Sequence, residues 1–145
     1  MWNKVWLSVL GLLLAAGMAC EKKMVLKKVQ LDIKGETFTV EVAQTEAEQV
    51  RGLMSRDKLG AREGMLFVNR EYVSGAFWMK NTRIPLSIAF LSDTGKILDI
   101  KNMNPFDERS VQSAYAYMYA LEVNKGAFRE VGAARGDYIK LPEDF

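Results

Sequence analysis

From Lys28 to Ala43 apolar residues recur at every second position: Val29, Leu31 and Ile33, then, beyond Lys34-Gly35, Phe38, Val40 and Val42. A period of two puts these side chains on one face of an extended chain and the intervening polar ones on the other. With Lys-Gly between the two runs, the segment reads as a hairpin with one wet and one buried face, the antiparallel signature. A strand pair of this kind needs a covering layer, and the chain that follows must supply it.

Turn signals and short apolar runs continue to the C-terminus. Thr45-Glu46-Ala47-Glu48 is a capping box, so a short helix is expected through about Met54, with Ala47, Val50, Leu53 and Met54 at helical spacing. Gly52 weakens such a helix by roughly 1 kcal/mol relative to alanine, which points to close packing there or to backbone that approaches a ligand. Met65 to Val68 is a continuous apolar run suited to a strand buried on both faces. Ala76 to Met79 reads as the next strand, and Pro85 marks a break or an edge. Leu86 to Leu91 and Lys96 to Met103 form a second hairpin around Asp93-Thr94-Gly95. A long strand from Ser113 to Val123 would put Tyr115, Tyr117, Tyr119, Leu121 and Val123 on one face, either paired with aliphatics across the sheet or offering a stacking platform. One or two helical turns, Lys125 to Val131, precede a last strand, Asp137 to Leu141. The fold class that follows is mainly β: a compact antiparallel sandwich or barrel, jelly-roll-like, with two short helices.

The first residues have a different character. Met-Trp-Asn-Lys followed by an apolar run from Val5 to Ala19 has the anatomy of a secretory signal, too short to span the roughly 30 Å hydrocarbon core comfortably. The expected organisation is a signal segment over 1–19, a tether over 20–27 and a β domain over 28–145. Cys20 is the chain's single cysteine and sits where cleavage should fall, in Ala16-Gly17-Met18-Ala19-Cys20, which resembles a bacterial lipoprotein signal. Acylation of Cys20 by more than one chain would hold the protein stably at a membrane. The competing reading is an ordinary signal cut after Ala19. The expected location is accordingly the cell envelope, membrane-anchored through lipidated Cys20 or otherwise periplasmic or secreted.

Composition narrows the chemistry. The 145 residues contain no histidine, which removes the commonest general base and metal ligand and excludes Ser-His-Asp and Cys-His mechanisms. One cysteine permits neither an intrachain disulfide nor a cysteine-based zinc site. A net charge of +2 carries no nucleic-acid signature. Met54, Met65, Met79 and Met103 are soft donors but lie far apart, as core fillers do, so no metal or other cofactor is expected. Glu122, Asp99, Asp107 and Glu108 are scattered, with no spacing that pairs carboxylates.

What remains is Gly75 to Phe90, where aromatics, cations, an amide and a hydroxyl crowd ahead of Ile84-Pro85. Strand parity would place Trp78, Lys80 and Thr82 on one face, a clamp for an anionic or planar small molecule or a contact for a partner, with Asn81 beside them and Arg51 approaching from the helix. The competing reading makes Trp78 core, lets Lys80 snorkel, and has Asn81 and Thr82 shape the turn before Pro85. A catalytic version would use Lys80 as base or nucleophile, which requires a desolvated lysine. A purely structural envelope domain is the third possibility.

The blocks Glu48-Gln49-Val50-Arg51-Gly52-Leu53-Met54, Gly64-Met65-Leu66-Phe67, Phe77-Trp78-Met79-Lys80-Asn81-Thr82, Ile84-Pro85-Leu86, Leu121-Glu122-Val123 before Gly126, and Gly132 with Gly136-Asp137 together resemble domain-of-unknown-function family 192. This is an exported or lipoprotein-like domain of bacteria and archaea. The resemblance runs from about Val40 to Ile139 and implies a compact, mainly β, jelly-roll-like domain, with no activity attached. One departure is Ser87, where the family commonly has aspartate; a catalytic or ligating role for that carboxylate would be lost here.

Overall fold

Lys34 and Gly35 both take positive φ, the type I′ geometry that matches the twist of paired strands, and they join β1 (Lys28–Ile33) to β2 (Glu36–Ala43). The computed structural model describes residues 24–142. The signal segment, Cys20 and the first part of the tether lie outside the described residues.

After β2 the chain forms α1 (Glu46–Arg51) and a loop, then returns as β3 (Glu63–Val73) parallel to β2, the one parallel pairing in an otherwise antiparallel set. A parallel neighbour requires a crossover, and α1 with its loop provides it. The remaining elements are β4 (Ala76–Phe77), β5 (Leu86–Leu91), β6 (Ile97–Met103), β7 (Val111–Gln112), β8 (Tyr117–Asn124), α2 (Ala127–Glu130) and β9 (Ile139–Lys140). Seven strands form one sheet in the order β6-β5-β8-β3-β2-β1-β9, while β4 and β7 pair separately.

The large sheet curls until its edges meet. Ile97 N–H donates to the Asp137 carbonyl at 2.8 Å, Gly136 N–H to Ile97 at 2.9 Å and Ile139 N–H to Gly95 at 2.9 Å. The fold is thus mainly β, a curled sheet forming a half-barrel with two short helices.

Two apolar clusters result. The inner one gathers Leu31, Ile33, Phe38, Val40, Leu66, Leu91, Leu121 and Val123 from around the barrel, with Phe128 of α2 packed among them. The outer one lies on the opposite face of β3, β5 and β8 and includes Met65, Phe67, Leu86, Ile88, Phe90 and Tyr117. Leu53, which follows α1, and Met79 and Ile84, which follow β4, cover it. Every residue of β5 is buried as a consequence, because apolar layers press on both of its faces.

Of the boundaries that differ from expectation, three shape the outer face. The helix stops at Arg51 because Gly52 adopts φ 46 and turns the chain inward, so Leu53 is buried while Val50 stays 60% exposed. The strand expected over Ala76 to Met79 ends at Phe77. The tyrosines form no stripe, since β8 begins at Tyr117: Tyr115 lies outside it under the Arg135 guanidinium, 4.7 Å from the ring centroid, Tyr117 packs in the outer cluster and Tyr119 against the inner one.

Candidate functional site

α1 is held at its start by the expected box: the Thr45 hydroxyl accepts from Glu48 N–H at 3.3 Å, and the Glu48 carboxylate accepts from Thr45 N–H at 2.9 Å and Gln44 N–H at 2.8 Å. These bonds, the one to the Thr45 backbone foremost, draw the Glu48 carboxyl below its ordinary range. Gln49 then ties the helix to the sheet by donating to the Val68 carbonyl at 3.0 Å. Any Cβ added at Gly52 would stand 3.5 Å from the Phe67 ring at a φ that side chains resist, so the turn fits the sheet closely.

Between this turn and β4 the outer face opens into a cavity of about 470 Å³. Buried Phe67, Leu86, Tyr117 and Glu122 form its floor. One wall is the end of α1 and its turn, Val50 to Met54; the other is Phe77, Trp78, Met79 and Thr82. Phe67, Phe77, Trp78 and Tyr117 bring aromatic rings to the lining: Phe67 meets Phe77 edge-on at 5.0 Å between centroids, and Phe77 meets Phe90 of the outer cluster at 5.9 Å. Burial raises the Tyr117 phenol, whose O–H donates to the Gly75 carbonyl at 3.1 Å.

The sequence-predicted residues distribute unevenly around this cavity. Arg51, Trp78 and Thr82 line it. Lys80 does not; its ammonium sits 5.1 Å from the Trp78 ring centroid, a cation–π contact on an exposed surface. The indole and the ammonium therefore converge, but through a turn and not through strand parity. Met79 N–H donates to Asp107, Thr82 N–H to Met79 and the Thr82 hydroxyl to Lys80, while Asn81 takes φ 53 at an exposed position and its carbonyl accepts from Ser55 N–H. Asn81 and Thr82 thus shape the turn, and Thr82 alone of the two reaches the cavity.

Ser87 faces away from the cavity. It pairs in register with Val123 of the inner cluster, donates to Asn102 Oδ1 at 2.7 Å and accepts from Gly126 N–H at 3.0 Å, anchoring the start of α2. The departure from the family's aspartate is therefore remote from the cavity and lies in a structural hydrogen-bond network.

Sequence reasoning missed Glu122. It lies on β8 between Met65 of β3 and Ile88 of β5, is 4% exposed, and has no hydrogen bond or ion pair among the described residues. Desolvation pushes its carboxyl up to about 8. Gly64 makes this packing possible: a Cβ there would stand 2.4 Å from the Glu122 carbonyl oxygen, so only glycine lets β3 and β8 close at that point. The available signal was a charged residue inside Ala120-Leu121-Glu122-Val123, where an apolar one was due on both parities.

A second, more polar recess of about 290 Å³ lies on the other side of Met79, lined by Asn102, Asn104, Asp107, Arg109 and Ser110. Arg109 grips the Asp107 carboxylate and holds it down at about 2. No group of three or more His, Cys, Asp or Glu side chains placed to hold a metal occurs among the described residues.

A half-barrel whose outer face carries a pocket over a buried glutamate is the class that fold and site define. The chain belongs to domain-of-unknown-function family 192, whose profile, described as an uncharacterized ACR, matches residues 29–141. It is similar to the crystal structure of a protein of unknown function from Novosphingobium aromaticivorans DSM 12444, with 36% identity, a TM-score of 0.75, and coverage of 80% of this chain and 86% of that one. It is also similar to a Sinorhizobium meliloti 1021 protein named as a candidate transcription regulator, with 31% identity, a TM-score of 0.77, and coverage of 82% and 97%. No curated relative matches the chain.

Proposed function

We propose that this is an exported, lipid-anchored envelope protein that binds a small, largely apolar molecule in the cavity between the end of α1 and β4. Export and anchoring rest on the apolar run from Val5 to Ala19 and on Cys20. The observation that carries the binding function is the 470 Å³ cavity itself, lined mainly by apolar and aromatic side chains with a few polar groups converging on it. Trp78 and Arg51 stand at its mouth, where Trp78 is 47% exposed. An enzyme built on Lys80 fits less well, because an exposed lysine held over an indole lacks the desolvation that nucleophilic lysines need.

The test is metabolite capture on the purified protein, followed by mass spectrometry of what is retained. Ala76→Trp, which would fill the cavity from an exposed position, and Trp78→Ala should both lose the captured molecule with little change in Tm, whereas retention by both variants would contradict this site. Lys80→Met should weaken capture slightly by loosening Trp78. Cys20→Ser should move the protein out of the membrane fraction; unchanged partitioning would count against acylation.

A further inference from the structure

Building on the binding site just proposed, we infer that its ligand is an organic cation, a protonated amine on an apolar or aromatic body, for which the Glu122 carboxylate is the counter-ion. Among the described residues Glu122 is buried and has no partner, yet no buried side-chain oxygen or nitrogen there is both sealed from solvent and unpaired. Its carboxyl oxygens are therefore not sealed off, and the space that Glu122 lines is this cavity. An unpaired buried carboxylate is costly, and an isosteric apolar residue would remove that cost. A cation arriving in the cavity supplies the missing charge instead.

The walls suit the rest of such a ligand. Phe67, Phe77, Trp78 and Tyr117 present aromatic rings around the space above Glu122, and ring faces attract cations most strongly where water is excluded. Once that carboxyl ionises, near pH 8, an organic anion would meet a like charge at the floor. A metal ion would find a single carboxylate among lining residues that are mostly apolar, short of the several charged oxygens that hold hard cations.

Other ionisable groups on this side of the sheet are accounted for. On β3, Glu63 turns its carboxylate to Gly60 N–H at 3.0 Å; on β2, Glu41 pairs with Arg56; on β6, Asp99 pairs with Lys101 at 3.3 Å. β5 brings Leu86, Ile88 and Phe90 to this face. Among the described residues, Tyr117 on β8 and Arg51 at the end of α1 are the ionisable groups that share the cavity with Glu122. Burial leaves the free site protonated at neutral pH, so an incoming ammonium displaces one proton from Glu122 to solvent.

The experiment is calorimetric titration of the full chain with three probes of similar size: 2-phenylethylamine, 2-phenylethanol and 3-phenylpropanoate. The amine should bind at least ~10-fold tighter than the alcohol at pH 8, with the anion weakest. Its affinity should rise roughly fifty-fold from pH 6 to pH 8, and runs in buffers of different ionisation enthalpy should show about one proton released near pH 7. Glu122→Gln should erase the preference for the amine and leave alcohol binding intact. Glu122→Leu does the same in a variant expected to be more stable, which separates loss of charge from loss of fold. Equal binding of amine and alcohol, or an amine preference that survives both substitutions, overturns the cation. In that event alcohol binding that disappears in Ala76→Trp keeps the cavity as the site. Failure of all three probes overturns both readings.

Discussion

The inner and outer clusters lie back to back across β3, β5 and β8, built from alternate residues of the same strands, yet they are finished differently. The inner one is closed: the sheet edges meet through Ile97 and Ile139, Phe128 packs into the barrel, and its members are apolar. The outer one is covered by a six-residue helix with its turn and by a two-residue strand with the loop behind it, and that cover leaves a 470 Å³ opening above one unpaired glutamate. A sheet that already has a sufficient core on one face is free to place a costly group on the other. Stability is concentrated in the barrel, and the cost of the proposed binding site falls on the layer outside it.

Substitutions that treat the two faces alike should break this contrast. The largest loss is expected inside: Phe128→Ala removes a fully buried ring, and chemical denaturation should register about 3–5 kcal/mol. On the outer face the effect of Glu122 should have the opposite sign. Between the ordinary carboxylate range and about pH 8 the folded protein keeps a proton that the unfolded chain has lost, so stability should fall as pH rises through that window. Glu122→Leu should flatten this dependence and raise stability, by up to about 4 kcal/mol above pH 8; denaturant midpoints at pH 5, 7 and 9 measure both.

Smaller changes sharpen the comparison at its seams. Gly64→Ala pushes a methyl group against the Glu122 carbonyl, and separating β3 from β8 should cost about 1–3 kcal/mol and broaden the Glu122 and Val123 amide resonances. Thr45→Ala removes a helix cap on the outer layer alone; a loss of about 1 kcal/mol is expected, with hydrogen exchange accelerated in α1 and unchanged in β1 and β2.

The inner barrel was readable because its code is local. Alternation around Lys34-Gly35 and the Asp93-Thr94-Gly95 turn each specify a neighbour within a few residues, and each is where the pattern put it. The outer layer is assembled from segments distant in the chain, so its code is not local. Trp78 and Lys80 do meet, but parity was the wrong reason, because β4 ends at Phe77 and a turn with Asn81 at positive φ brings them together. The tyrosine pattern failed because Tyr115 is drawn to Arg135 outside the strand. Glu122 was set aside as one of several scattered acids because what buries it, Met65 and Ile88 beside it and Phe67 and Leu86 across the cavity floor, comes from two other strands.

The contrast between the two faces rests on the ionisation of that one carboxyl group. Carbon-detected NMR of the Glu122 side chain across a pH titration reads it directly. A midpoint near 8 is the predicted result. A midpoint in the ordinary glutamate range, near 4.5, would mean that the group is hydrated or paired in solution, and the outer face would then be no different from any wet surface of the sheet.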